Sequence, residues 1–147
     1  MRATHICAAG LIFLFIVGPS ASRSAPADIA DITLAYPAEV ALSDEGDKGF
    51  VFRRFPGSQR LYTYDLDKTG QSACNVGCYQ AWPPVLAPSN AKPIGDWTII
   101  ERQEGVRQWA YKGQPVYTLY HDEPGKPAGD GQAGVWHLLP YMKRPQN

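Results

Sequence analysis

Four things are scarce in this 147-residue chain. Charge excess is the first: Lys+Arg and Asp+Glu both number 14, giving a formal net charge of zero. Binding to a phosphate backbone needs a basic stripe or patch, and the pair Arg53-Arg54 is neither. Cysteine is the second, with three residues, of which Cys7 sits at the start of the chain and only Cys74 and Cys78 lie in its body. Methionine is the third: Met142 stands alone after Met1, so no methionine cluster exists for a soft metal. Sustained helical periodicity is the fourth, and its absence excludes helical bundles and coiled coils. Past the first 27 residues there is also no apolar run long enough to span a bilayer.

What is present begins with an export signature. Arg2 supplies a short basic region, Ile6 to Val17 is apolar, and small residues follow. That order and length describe a signal peptide, with cleavage expected after Ala25-Pro26-Ala27. Its removal takes Arg2 and Arg23, leaving 12 basic against 14 acidic residues and a net charge near −2. Cys7 leaves with it, so one cysteine pair remains in an oxidising compartment, periplasmic or extracellular. We expect a segment 28–48 of extension or first strands, one domain over 49–140 and a tail at 141–147.

Strand signals dominate that domain. Gly49–Phe55, Arg60–Asp65, Trp97–Glu101, Val106–Tyr111, Val116–Tyr120 and Val135–Leu139 are short and rich in β-branched and aromatic residues. Glycine or proline punctuates the gaps. One short helix is expected, about Asn75 to Ala81, ending at Trp82-Pro83-Pro84. The fold class that follows is mainly β, a small single domain with little helix.

A repeat organises these elements. Shifting the sequence by 55 places Tyr62-Thr63-Tyr64 on Tyr117-Thr118-Leu119, Asp67 on Asp122, and Gly70 on Gly125. Each half then reaches a tryptophan, Trp82 or Trp136, with a one-residue slip. The expectation is two pseudo-repeated antiparallel strand-turn units, each too small to bury its aromatics alone. Residues two apart on a strand share a face, so Tyr62 and Tyr64 point the same way, as do Tyr117 and Leu119. The aspartate past the strand end is suited to accept backbone N–H bonds and hold a turn. Two readings follow: core aromatics with a turn clamp, or a ligand cleft built by Tyr62, Tyr64, Asp67, Trp82, Tyr117, Asp122 and Trp136.

The order of these blocks carries a resemblance. Tyr62-x-Tyr64-x-x-Asp67, Cys74-x-x-x-Cys78-x-x-x-Trp82-Pro83-Pro84, Trp109-Ala110-Tyr111-x-Gly113-x-Pro115-x-Tyr117 and Asp122…Gly129-Asp130-Gly131…Trp136 follow one another from about Gly49 to Leu139. In this the chain resembles exported bacterial repeat proteins described as predicted lipoproteins with a Y-x-(F/W/Y)-x-x-D motif, also called the secreted repeat of unknown function. The resemblance implies an exported repeat protein and brings no established activity. Two positions depart from the pattern. The lipobox cysteine is absent, so lipid anchoring does not carry over, and Leu119 stands where an aromatic is usual.

Cys74 and Cys78 support three readings. A disulfide needs Cα atoms about 4.4–6.8 Å apart, which one helical turn or a tight loop provides. A periplasmic copper site is the second, with Cys74, Cys78 and either His121 or His137 as ligands. Thiol exchange is the third, although its usual spacing is C-x-x-C and no neighbouring Lys or Arg lowers a thiol pKa. Catalysis has thin support: no serine sits in a nucleophile pattern, and His121-Asp122 is the one candidate base. The expected function is an exported, non-enzymatic repeat domain without cofactor. Its role is binding or structural, with an envelope ligand or protein as partner, and no nucleic acid. Copper-binding or thiol redox chemistry is the alternative.

Overall fold

A computed structural model describes residues 35–103, 105–122 and 127–142. The signal-peptide and cleavage-site expectations, the second turn's Gly125 and the tail beyond 142 lie outside these residues. Eight short strands occur among them: β1 (Val40–Asp44), β2 (Phe50–Arg54), β3 (Tyr62–Tyr64), β4 (Trp97–Glu101), β5 (Arg107–Tyr111), β6 (Gln114–Pro115), β7 (Trp136–Leu138) and β8 (Pro140–Met142). The helix is a single turn, α1 (Val76–Tyr79). All strand pairs are antiparallel, in sheets ordered β1-β2-β8, β3-β7 and β4-β5-β6. The chain is mainly β with little helix, as its sequence implies.

The repeat is more extensive than the tyrosine motif. In the first hairpin Val40 pairs with Arg54 and Asp44 with Phe50. In the second Trp97 pairs with Tyr111 and Glu101 with Arg107. The registers match residue for residue when Val40 is laid on Trp97, a shift of 57. Val40–Asp44 is therefore the opening strand of the first unit. The shift falls to 55 at the tyrosines because the turn Phe55–Gln59 in the first unit is longer than its counterpart around Lys112-Gly113.

Each unit closes with a segment that pairs onto the other unit. Leu139 N–H donates to Leu61 O (2.8 Å) and, equivalently, Val85 N–H donates to Val116 O (3.0 Å). Asp65 N–H donates to Val135 O, and Tyr120 N–H to Ala81 O, both at 2.9 Å. At the centre Tyr62 and Tyr117 exchange two backbone bonds, each 2.9 Å. A local two-fold relation thus passes between the two motif tyrosines.

The stretch Val116–Tyr120, expected as a strand, does not form one. β6 stops at Pro115, and Tyr117 forms isolated bridges to Tyr62 on one side and Pro84 on the other. The cause is the partner sequence. Pro83 has no N–H to return the bond that Thr118 donates to its carbonyl, and the Ala81 N–H is taken by the Cys78 carbonyl, so Thr118 and Tyr120 donate without return and only the Val85 N–H donates back, to Val116 O. The other unit has His137 and Leu138 at these places, and there β3 and β7 pair regularly.

The core follows the same symmetry. One cluster contains Val40, Phe52, Leu61 and Leu139 from one half of the arrangement, and Trp97, Trp109, Val116 and Val85 from the other. A second gathers Tyr62, Trp82, Tyr117 and Trp136 with Val51, Cys74 and Leu138. Apolar burial in these layers supplies the main stabilisation, about 1.5–3 kcal/mol for each large side chain withdrawn from water.

Candidate functional site

The motif tyrosines and aspartates lie deep in the fold and are crossed between units. Asp67, from the first unit, accepts the Tyr117 hydroxyl of the second at 2.8 Å and the Ala73 N–H at 2.7 Å. The latter bond is the turn clamp expected of this aspartate. Burial pushes the Asp67 carboxyl above its ordinary value, against the Ala73 and Tyr117 bonds and the Arg102 charge. Arg102 reaches in from the end of β4. It donates to Ser72 Oγ (2.9 Å), the Cys74 carbonyl and Gln108 Oε1, and its guanidinium lies 4.5 Å from the Tyr79 ring centroid.

Asp122, from the second unit, turns to the first. Its carboxylate accepts the Arg60 backbone N–H at 3.1 Å and the Arg60 guanidinium at 3.3 Å. Arg60 also donates to Glu45 (3.0 Å), which pairs with Arg53 as well. Burial opposes ionisation of Glu45, but the two arginines prevail and hold its carboxyl below the usual value. Tyr62 is buried beside this cluster. Burial first, then the Asp122 charge, pushes its phenol well up. Asp122 is thus engaged by Arg60, while the His121 ring lies against Tyr120, 4.3 Å between centroids. The His121-Asp122 neighbours do not form an oriented base.

The aromatics of the motif form a column. Tyr64 stacks on Trp136 (4.3 Å, 17°), and Trp136 stacks on Trp82 (3.8 Å, 3°). Tyr62 meets Trp82 edge-on at 5.3 Å, and Tyr117 meets Trp136 edge-on at the same distance. All four tryptophans, Trp82, Trp97, Trp109 and Trp136, are buried, which weighs against a row of exposed indoles. Tyr62, Asp67, Trp82, Tyr117 and Trp136 serve the core, while Tyr64 is half-buried at its edge.

Cys74 and Cys78 flank the start of α1 at disulfide distance, their Cα atoms 5.3 Å apart. The helical turn brings them together as the spacing allows. His137 points away from the core and meets Asp65 at 2.9 Å. Among the described residues no three His, Cys, Asp or Glu side chains gather in a metal-ligating cluster, so the structure does not bring His121 or His137 to the cysteine pair.

An open cleft of about 510 Å³ lies on the surface beside Tyr120. Ala81 and Leu119 line it, with Gln80, Gln132 and His121 around them. Tyr120 is 61 % exposed, a high value for so large a ring in a domain with a well-filled core. Its position is fixed from both ends: the Tyr120 N–H bonds to Ala81 O, and Asp122 is held by Arg60. Between them His121 adopts φ 121°, a conformation that L-residues rarely accept and that packing must enforce.

Residues 98–139 match the model of a family described as a secreted repeat of unknown function. The match agrees with the resemblance carried by the motif blocks. No curated protein and no solved structure matches the chain. The matched span of the secreted repeat covers the second unit, from within β4 through β7, and includes Leu119, Tyr120, His121 and Gln132 of the cleft. Among the described residues no helix is long and apolar enough to cross a membrane.

Sequence reasoning missed Arg60, Arg102 and the cleft glutamines. Arg60 pairs with Asp122 and the Arg102 charge acts on the equivalent Asp67, but the two arginines come from unrelated places. Arg60 has Pro115 as its counterpart, and Arg102 has Glu45. A self-comparison cannot match them. The cleft has one visible signal, the departure at Leu119 from the aromatic seen at Tyr64.

Proposed function

We propose that this protein is an exported, non-enzymatic binding domain whose ligand seat is the cleft beside Tyr120. The observation that carries the reading is the cleft itself: an apolar floor with an exposed aromatic, on a scaffold whose motif aspartates Asp67 and Asp122 are engaged across the two units. Clefts of this size and lining are the common form of small-molecule sites. The secreted character of the matched family agrees with an envelope setting. A Cys74–Cys78 disulfide belongs to this reading as a staple, because α1 leads directly into Gln80 and Ala81 of the cleft wall.

The test is a titration of isotopically labelled protein with the small-molecule fraction of the cell envelope, followed by NMR. Saturable shifts at Gln80, Ala81, Leu119, Tyr120 and Gln132, lost in Tyr120→Ala, are the expected outcome. Shifts that survive Tyr120→Ala unchanged, or conversion of an added compound into a new one, would overturn it.

A further inference from the structure

The two units offer an internal comparison that identifies what the cleft lacks. Tyr64 faces Trp136 across β3 and β7 and stacks on it. Trp82 stacks on Trp136 as well, and two rings lying parallel at about 4 Å cannot share one face. Tyr64 and Trp82 therefore take opposite faces, giving the order Tyr64, Trp136, Trp82. The bond from Tyr120 N–H to Ala81 O matches that from Asp65 N–H to Val135 O. Leu119 is thus the counterpart of Tyr64, and Ala81 the counterpart of Val135. A symmetric column would have a fourth ring, supplied by residue 119, beyond Trp82. The chain instead places the smaller Leu119 there and pairs it with the smaller Ala81. Both substitutions remove bulk, and both residues line the cleft.

Resting on the reading of this cleft as a ligand seat, we infer that it accepts an uncharged planar ring bearing a hydroxyl or carbonyl group, which takes the volume a fourth aromatic side chain would fill. Three features define that chemistry. The missing element is an aromatic ring, so the guest is ring-sized and flat. Lys, Arg, Asp and Glu are absent among the described residues that line the cleft and His121 is the one titratable side chain there besides Tyr120, so a charged guest meets no fixed counter-charge among them. Gln80 and Gln132 stand at the rim, and each carboxamide offers both a donor and an acceptor, matching either a hydroxyl or a carbonyl on the ring. The exposed face of Tyr120 supplies an aromatic wall.

The probe is 4-methylphenol, which is the tyrosine side chain as a free molecule. It is titrated into labelled full-length protein, with 4-methylbenzoate and glucose as comparison compounds. Saturable shifts of the Leu119, Tyr120, Gln80 and Gln132 signals are expected with 4-methylphenol, and weaker ones with the charged 4-methylbenzoate. Leu119→Tyr supplies the ring from within and should weaken 4-methylphenol binding by at least about tenfold. Ala81→Val narrows the same space and should weaken binding in the same direction, giving a second readout should Leu119→Tyr fold poorly. Equal binding by the wild type and a folded Leu119→Tyr or Ala81→Val variant would overturn the inference. Shifts at the same residues with glucose and none with 4-methylphenol would refute the ring class while leaving the cleft as a ligand seat. No shifts with any of the three, together with none from the envelope fraction, would refute both.

Discussion

Arg60 and Asp122 have side chains only 1 % exposed, and each is the other's charge partner across the two units. Such a pair contributes little through attraction alone, because burying both charges costs about as much as their attraction returns; its strength lies in what happens when one partner is lost. The neighbouring phenols respond to the same burial. Tyr62 and Tyr117 have folded-state values raised above the ordinary 10.0, by burial first in both cases. For a group raised on folding, the stabilisation is full below the unfolded value and is lost as pH climbs through and beyond it. The protein should therefore lose stability above about pH 10. A spectrophotometric titration should show a late phase that coincides with unfolding by circular dichroism. Tyr62→Phe and Tyr117→Phe should each diminish that phase; a late phase unchanged in both variants would contradict the assignment.

At the level of elements, the hairpin β4–β5 was the most legible part of the chain. Trp97–Glu101 forms a strand over the very residues its pattern picks out, and Val106–Tyr111 loses one residue at its start. Apolar and aromatic residues facing a continuous partner leave little choice there. β1 was less legible, because VALSD contains no aromatic and its match to WTIIE lies at a shift of 57 rather than 55. The Val116–Tyr120 stretch has strand composition, but a strand is a pairing, and in its partner Pro83 has no N–H to give while the Ala81 N–H is held by Cys78 O. The candidate binding aromatics were visible as a pattern, but composition cannot tell a core ring from a surface ring. Their coupling can be measured. Trp82 and Trp136 come from different units and stack at 3.8 Å, so Trp82→Phe, Trp136→Phe and the double variant should show a coupling of about 0.5–1.5 kcal/mol in chemical denaturation. Strict additivity would mean that the stack is packing without specific interaction.

For the whole molecule, the exchange of closing segments makes the two units one cooperative body. Leu139 completes the first unit and Val85 the second, and neither unit has a core of its own to fall back on. Asp122→Asn weakens a contact that belongs to both units. It should cost about 1.5–3 kcal/mol, since the Arg60 guanidinium keeps Glu45 but loses its second anionic partner. Calorimetry should record that loss as one transition moved to lower temperature. Two separated transitions, one for each unit, would contradict the crossed arrangement.

Crossed pairing also imposes an order of events in time. A ribosome releases the chain from its N-terminus, so β1, β2 and β3 exist before β7 and β8 have been made. The partners that β3 and Leu61 require lie 72 to 78 residues further along the chain. Until they arrive, the first half has its tyrosines and Trp82 without the surface that buries them. Completion of the native structure is thereby postponed until β7 and Leu139 have emerged. The domain becomes compact only when its final strands are free to return to its first.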